Sequence, residues 1–273
     1  FDESLKINQW SVQLARERKD SLNLGKSLFN LANVYNFKGE YFTAIEFYLE
    51  SEAILSALNQ NNYKKILYAN LAVLFEEISE YETALQYLKM SSEISTAEKD
   101  TLSMLNAMIN IVTVFNSMSE YDSSVLVAND IFKLLQHYES RKHRIALLIN
   151  YGNSIRQLKQ PQKALPIFKE AKTLSEDAGN LPSVATAYHG IAYSYYDMGN
   201  IDSAEYYIDM AMNNPLEEET VTGLLNRYLL QSDIKAQKKN YKAAYDALML
   251  YAQLKETAVN ESVRSKINEL ERK

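Results

Sequence analysis

The sequence contains no cysteine. Disulfides and thiolate metal sites are therefore excluded, while the compartment stays open, because a cysteine-free chain suits the cytosol and the periplasm alike. Glycine and proline are scarce, 7 and 4 of 273 residues, too few turn formers for an all-β sandwich. No apolar run approaches the roughly 18–20 residues of a membrane span, and no signal peptide is evident. No one sign of charge predominates locally. The net charge is −6 with both signs mixed along the chain, which argues against a nucleic-acid face. GxSxG, HExxH and phosphate-binding glycine loops are all missing. Histidine is rare: His137, His143 and His189. His137 and His143 lie at a junction without carboxylates at ligand spacing and read as surface residues. Glu76-Glu77 and Glu217–Glu219 read as solvated charge runs. No catalytic residue, metal or cofactor is nominated, and the expectation is a binding protein rather than an enzyme.

What the chain does contain is apolar residues, 47% of it, too many for a disordered segment, and a period. GEYFTAIEFYLESEA at Gly39–Ala53 returns as SEYETALQYLKMSSE at Ser79–Glu93, and again, at the same shift, as SEYDSSVLVANDIFK at Ser119–Lys133. Further copies begin at Lys159, Gly199 and Lys239. A constant spacing of this size argues for a stacked repeat. Within a unit, Leu28, Leu31, Ala32 and Tyr35 follow i, i+3, i+4, i+7, one helical stripe. Gly39 stops that helix by accepting the left-handed conformation. Tyr41, Ala44, Ile45 and Tyr48 resume the spacing in a second helix, and Asn59–Asn62 is the polar break before the next unit.

Two helices joined by a short turn approach closely only where a small residue sits at the crossing. The second helices supply Ser4, Ala44, Ala84, Ser124, Ala164, Ala204 and Ala244, and the first helices Ala32, Ala72, Gly152, Ala192 and Ser232, with Val112 larger. Tyr41, Tyr81, Tyr121 and Tyr241 flank them as core knobs, with Pro161 and Ile201 in the other copies. Small at the eighth position, Tyr or Phe at the eleventh, Gly or Ser at the fifteenth, Tyr at the seventeenth and Ala at the twentieth resembles the tetratricopeptide repeat. The match is strongest in Leu28–Ala53 and Leu67–Ser91. The period is longer than the family's usual one and is similar to the extended variant of bacterial signalling proteins, membrane-bound sensor kinases and transcriptional regulators.

The resemblance implies an all-α, right-handed superhelical α-α solenoid. It would occupy residues 1–258, with a partial unit over 1–24 and repeats starting near 25, 65, 105, 145, 185 and 225. Residues 259–273 form a charged C-terminal helix extension. There Val263, Ile267 and Leu270 make a narrow seam that is either a solvated helix end or a contact with a partner, a dimer through this helix included. Pro161 belongs in the first turn of its helix, Pro166 is expected to bend it, Pro182 opens the next helix, and Pro215 marks a sharper break.

In the family the first helices line a concave groove. The sixth position of successive units reads Asn30, Asn70, Asn110 and Asn150, then Gly190 and Leu230. A carboxamide both donates and accepts, so the ladder suits the backbone of an extended segment; the alternative is that Asn holds the stack together. Asn33, Asn153, Arg156, His189, Tyr193 and Tyr196 complete the candidate site, with Arg156 beside the tyrosines placed for an acidic or aromatic group. The two-carboxylate clamp of chaperone-tail binders is not implied, since its lysine position holds Phe29. The expected partner is a protein or peptide segment in the groove, bound by the sensing or interaction region of a bacterial signal-transduction or transcription-regulatory protein. A free-standing scaffold, or a small-molecule receptor or enzyme with an enclosed pocket, are the alternatives. The location follows as periplasmic or cytoplasmic, undecided between them.

Overall fold

The computed structural model describes residues 2–213 and 221–271. Pro215 and Glu217–Glu219 lie outside the described residues, as do the side chains of Val263, Ile267 and Leu270. The described residues form thirteen helices and no strand: α1 (Asp2–Glu17), α2 (Ser21–Phe37), α3 (Tyr41–Ala57), α4 (Asn61–Glu77), α5 (Tyr81–Ala97), α6 (Thr101–Ser117), α7 (Tyr121–Leu135), α8 (Arg141–Gln157), α9 (Pro161–Asp177), α10 (Leu181–Asp197), α11 (Ile201–Met212), α12 (Val221–Gln237) and α13 (Tyr241–Glu271).

A helix starts at every twentieth position from Ser21 to Tyr241. Most of these helices, α2 through α6 among them, have the same length of five turns less one residue. The repeat unit is thus two equal halves, each one such helix and a short turn. The polar break is shorter than the sequence suggests, since Asn61 and Asn62 already belong to α4. Hydrogen bonding explains the economy. The Gly39 N–H donates to the Asn36 carbonyl at 2.9 Å and the Glu40 N–H to the Tyr35 carbonyl at 3.0 Å. This double closure requires a left-handed residue after the cap. The residue that closes one helix also opens the next: the Asp20, Asn180 and Asn200 side chains accept from the N–H groups of Asn23, Ser183 and Ser203.

Among the described residues, ten at this spacing have φ between 54° and 75°, including Lys19, Lys99, Lys159 and Lys239. A side chain in this region costs roughly 1–2 kcal/mol relative to glycine, offset in part by glycine's freedom in the unfolded chain. Lys99→Gly is therefore expected to stabilise the protein by about 0.5–1 kcal/mol, read as a higher denaturant midpoint at unchanged slope.

The turn after α7 breaks the pattern. This helix ends early, at Leu135, and the link runs to Ser140. His143, expected at the surface, is buried at 5% exposure, with Nδ1 2.6 Å from Ser140 Oγ. Burial pushes its imidazole below the usual range, helped by Lys142. His137 is exposed.

The chain divides into two compact units, Phe1–Val114 with Asn260–Lys273, and Phe115–Val259. In the first, α2 packs on α1 and α3, and α4 on α3 and α5, around Leu28, Leu31, Tyr35, Tyr48, Leu55, Leu67 and Leu71. In the second, α8, α9, α10 and α11 pack in sequence and α12 follows on α11, around Phe168, Val184, Ile191, Ile208, Leu230 and Ile234. The small residues sit where neighbouring helices approach: Ala44, Ala84, Ser124, Ala164 and Ala204 are fully buried and Ala244 is 7% exposed. Ser4 departs from this register. It is exposed and lines a cavity of about 300 Å³ with Asn33, Val34 and Phe37.

The flanking tyrosines are less buried than core knobs. Tyr41, Tyr81 and Tyr121 are half-buried, and the Tyr121 hydroxyl returns to Ser119 Oγ at 3.2 Å. Tyr241 is 68% exposed, on the last described helix. Pro161 occupies the first turn of α9, and the helix continues through Pro166 to Asp177. With no space around Ala204, Ala204→Leu is expected to cost about 1–3 kcal/mol by overpacking, checked by chemical denaturation.

Candidate functional site on the first helices

In the first unit the asparagine ladder divides by role. Asn70 Nδ2 donates to Asn33 Oδ1 at 2.9 Å and to the Tyr48 hydroxyl at 3.2 Å. Tyr48, fully buried, donates in turn to Asn33 Oδ1. The three side chains tie α2, α3 and α4 together, and burial pushes the Tyr48 phenol up to about 12. Asn33 and Asn70 thus hold the stack. Asn30 is exposed and Asn110 half-buried, and neither side chain has a hydrogen-bond partner among the described residues. Asn110 lines a shallow cavity of about 200 Å³ with Ile66, Ala69, Asn70 and Asn106 on α4 and α6. Large apolar side chains are also exposed on α2 and α4: Phe37 at 75%, Ile66 at 47% and Val73 at 38%.

In the second unit Asn150 also works within the fold. Its Nδ2 donates to the Ala146 carbonyl at 3.2 Å, and its own carbonyl accepts from Asn116 Nδ2 at 3.1 Å. Ser154 Oγ lies 2.7 Å from both Asn116 Oδ1 and Ser124 Oγ, which joins this network to α7. The next two rungs are not polar. Leu230 is fully buried, and Gly190 faces Phe168, whose ring atoms would lie 2.4 Å from an added Cβ. Asn153 is half-buried without a side-chain hydrogen bond among the described residues.

Arg156, His189 and Tyr193 come together in this unit. Arg156 Nη1 pairs with Asp197 Oδ2 at 2.8 Å, and its guanidinium carbon stands 4.4 Å from the Tyr193 ring centre. His189 meets the same ring edge-on, centre to centre 4.8 Å. Burial, then the Arg227 and Arg156 guanidiniums, push the His189 imidazole down to about 3, so it is neutral at physiological pH. Burial holds the Tyr193 phenol above its usual range. Tyr196 is tied to α12, its hydroxyl accepting from Gln237 Nε2 at 3.0 Å.

Sequence reasoning passed over Lys65, which is buried at 6% exposure, with Nζ 2.7 Å from Glu98 and 2.6 Å from Asp100. It also missed the hydroxyls of Ser51 and Ser91, which donate to the Gly25 and Lys65 carbonyls, each at 2.7 Å. Ser51 and Ser91 hold the same place in successive units, so the two bonds repeat one stitch. The recurrence of serine at 51 and 91 was the available signal. Among the described residues no group of three His, Asp or Glu is placed to hold a metal, and no helix is long and apolar enough to cross a membrane.

No curated protein matches the chain in sequence. Its fold is similar to that of aspartyl phosphate phosphatase F from Bacillus subtilis, at 17% identity and TM-score 0.67, over 89% of this chain and 74% of that one. A Rap protein complexed with competence and sporulation factor is similar at 12% identity and TM-score 0.66, over 88% and 76%. A tetratricopeptide repeat protein from Parabacteroides merdae is similar at 16% identity and TM-score 0.63, over 97% and 99%. At such identities the likeness is one of fold. The tetratricopeptide repeat model matches residues 24–97 and 143–215, more than half of the chain. With paired helices in a constant register and small residues buried at their crossings, the chain belongs to the tetratricopeptide repeat family, a fold of interaction modules.

Proposed function

We propose that the first helices bind a protein or peptide segment along a concave groove. The module would serve as the sensing or interaction region of a bacterial signal-transduction or transcription-regulatory protein. One observation carries the binding reading. Asn33 and Asn70 are consumed by the fold, whereas Asn30 and Asn110 have no partner among the described residues; Asn30 shares α2 with the exposed Phe37, and Asn110 on α6 shares a cavity with the exposed Ile66 of α4. Free carboxamides beside exposed apolar groups suit an extended segment, whose backbone needs donors and acceptors while its side chains need apolar contact. Stacked repeats present such surfaces without unfolding, because each unit depends only on its neighbours. The shared fold with a Rap protein complexed with competence and sporulation factor supports the signalling part of the proposal. The 31-residue α13 is the element proposed to transmit, anchor or pair.

The test is a peptide selected on the intact chain from a displayed random library. The Asn30→Ala/Asn110→Ala variant is expected to bind it at least about tenfold more weakly, two lost hydrogen bonds at about 1 kcal/mol each, with an unchanged melting curve. Equal affinity would move the site off these helices. The signalling part is tested by the gene beyond the Lys273 codon. A coiled coil, a membrane span or an output domain is expected there, and a stop codon close by would favour the free-standing scaffold.

A further inference from the structure

We propose that Arg156 and His189 form a subsite for a single amide group of the bound segment. The inference rests on the groove reading above and adds the chemistry of one contact. Both residues lie on first helices of the second unit, α8 and α10, and both pack on the Tyr193 ring. Each keeps one buried polar atom with no partner among the described residues, Nε of Arg156 and Nε2 of His189. Buried polar atoms are normally satisfied, so two on one ring need a reason.

The two atoms differ in kind. Arg156 Nε carries a hydrogen and can only donate. The His189 ring is hydrogen-bonded to the backbone of Asn226 on α12, and Nε2 takes no part in that bond. A ring nitrogen that faces a backbone carbonyl holds the proton, which leaves Nε2 a bare lone pair. The pair is therefore one donor and one acceptor. A carboxylate would satisfy Arg156 but offers nothing to His189, and it would compete with Asp197, already 2.8 Å from the guanidinium. An ammonium would satisfy His189 but finds no acceptor at Arg156 Nε. An amide answers both, its carbonyl accepting from Arg156 Nε–H and its N–H donating to His189 Nε2. Both side chains pack on the Tyr193 ring, whose hydroxyl has no hydrogen bond among the described residues. No hydrogen bond therefore holds the ring against turning aside to admit the group. This replaces the acidic or aromatic ligand expected from sequence with an uncharged one.

The test follows the ring nitrogens of His189 by long-range ¹H–¹⁵N correlation in the intact chain at neutral pH. The probes are acetyl-Gly-Gln-Gly-amide, acetyl-Gly-Glu-Gly-amide and acetyl-Gly-Gly-Gly-amide at millimolar concentration. The free protein is expected to show an unprotonated Nε2. A shift of that nitrogen toward the hydrogen-bonded range with the Gln probe alone identifies a side-chain amide. The same shift with all three probes identifies a main-chain amide. Arg156→Lys, which keeps the charge for Asp197 but lacks Nε–H, is expected to weaken the response by at least about fivefold. A protonated Nε2 in the free protein overturns the proposal whatever the variant does. So does a stronger response to the Glu probe, or none to any probe. Neither result touches the Asn30/Asn110 experiment, so failure of the subsite and failure of the groove reading are separable.

Discussion

Replacing Lys65 by methionine is expected to destabilise the protein by about 3 kcal/mol, the low end of what removing one partner of a buried ion pair costs. The Lys65 side chain is 7% exposed and its ammonium bridges Glu98 and Asp100, whose side chains are 28% and 31% exposed. Deleting it leaves two carboxylates without their cation, though water reaches both, which is why the upper end of the range does not apply. Lys65→Met with Glu98→Gln and Asp100→Asn removes all three charges and is expected to recover most of the loss. Methionine keeps the stem packed, and amides do not repel. The pH profile gives an independent readout. Hydrogen bonds from Lys65 and Ser103 hold the Asp100 carboxyl at about 2, below its ordinary 3.8. A depressed folded pKa stabilises above the unfolded value and is lost as pH falls through the folded one. The contribution should be complete above about pH 4 and disappear toward pH 2. For Lys65 itself burial alone would lower the pKa, but hydrogen bonds to Asp100 and Glu98 outweigh burial and raise it. That part of the stability is present below the ordinary lysine value of 10.5 and is lost only as pH rises beyond it. Chemical denaturation of wild type and Lys65→Met from pH 2 to 7 should show two curves that converge at the acid end.

Gly190→Ala is expected to cost about 2 kcal/mol, although alanine is the better helix former by about 1 kcal/mol. The added methyl would stand 2.4 Å from Phe168 Cδ1 and Cε1, closer than carbon atoms approach, and Phe168 is fully buried with nowhere to withdraw. Gly152 faces the same ring from α8, its Cβ position 2.8 Å from Cε1. One phenylalanine on α9 thus accounts for glycines in the middle of two other helices. Phe168→Leu should relieve the clash, so the double variant is expected to be more stable than the sum of the single changes. That coupling in a double-mutant cycle identifies contact rather than helix propensity as the cause. If Gly190→Ala proved stabilising, the ring would have to lie elsewhere.

The repeat itself was legible because it recurs at a fixed spacing: Ala44, Ala84, Ala164 and Ala204 announce the crossings, and all four are fully buried. The equal halves were not legible. The left-handed turn position holds Lys, Gly, Asn or Ser, and only backbone hydrogen bonds make those residues equivalent. Lys65 looked like any surface lysine, because its partners Glu98 and Asp100 lie a whole helix away, in the turn between α5 and α6. His143 was misread for a related reason. Its burial follows from an irregular link after α7 that no sequence period describes. The asparagine ladder was visible as spacing, yet spacing alone did not separate its members. Asn70 is claimed by Asn33 and Tyr48, and Asn150 bonds within α8, contacts set by offsets of 37, 22 and 4 residues rather than by the period. Arg156, His189 and Tyr193 were named from sequence, but their packing on one ring was not, since Arg156 and His189 are on different helices.

Binding by the first helices requires that a bound segment touch them and not the second helices. Backbone amide shift mapping with a library-selected peptide answers this directly. Within the first unit, α2, α4 and α6 should respond, with changes centred near Asn30, Ile66 and Asn110, while the second helices stay nearly silent. Changes concentrated on α3 or α5, with α2, α4 and α6 unmoved, would contradict it.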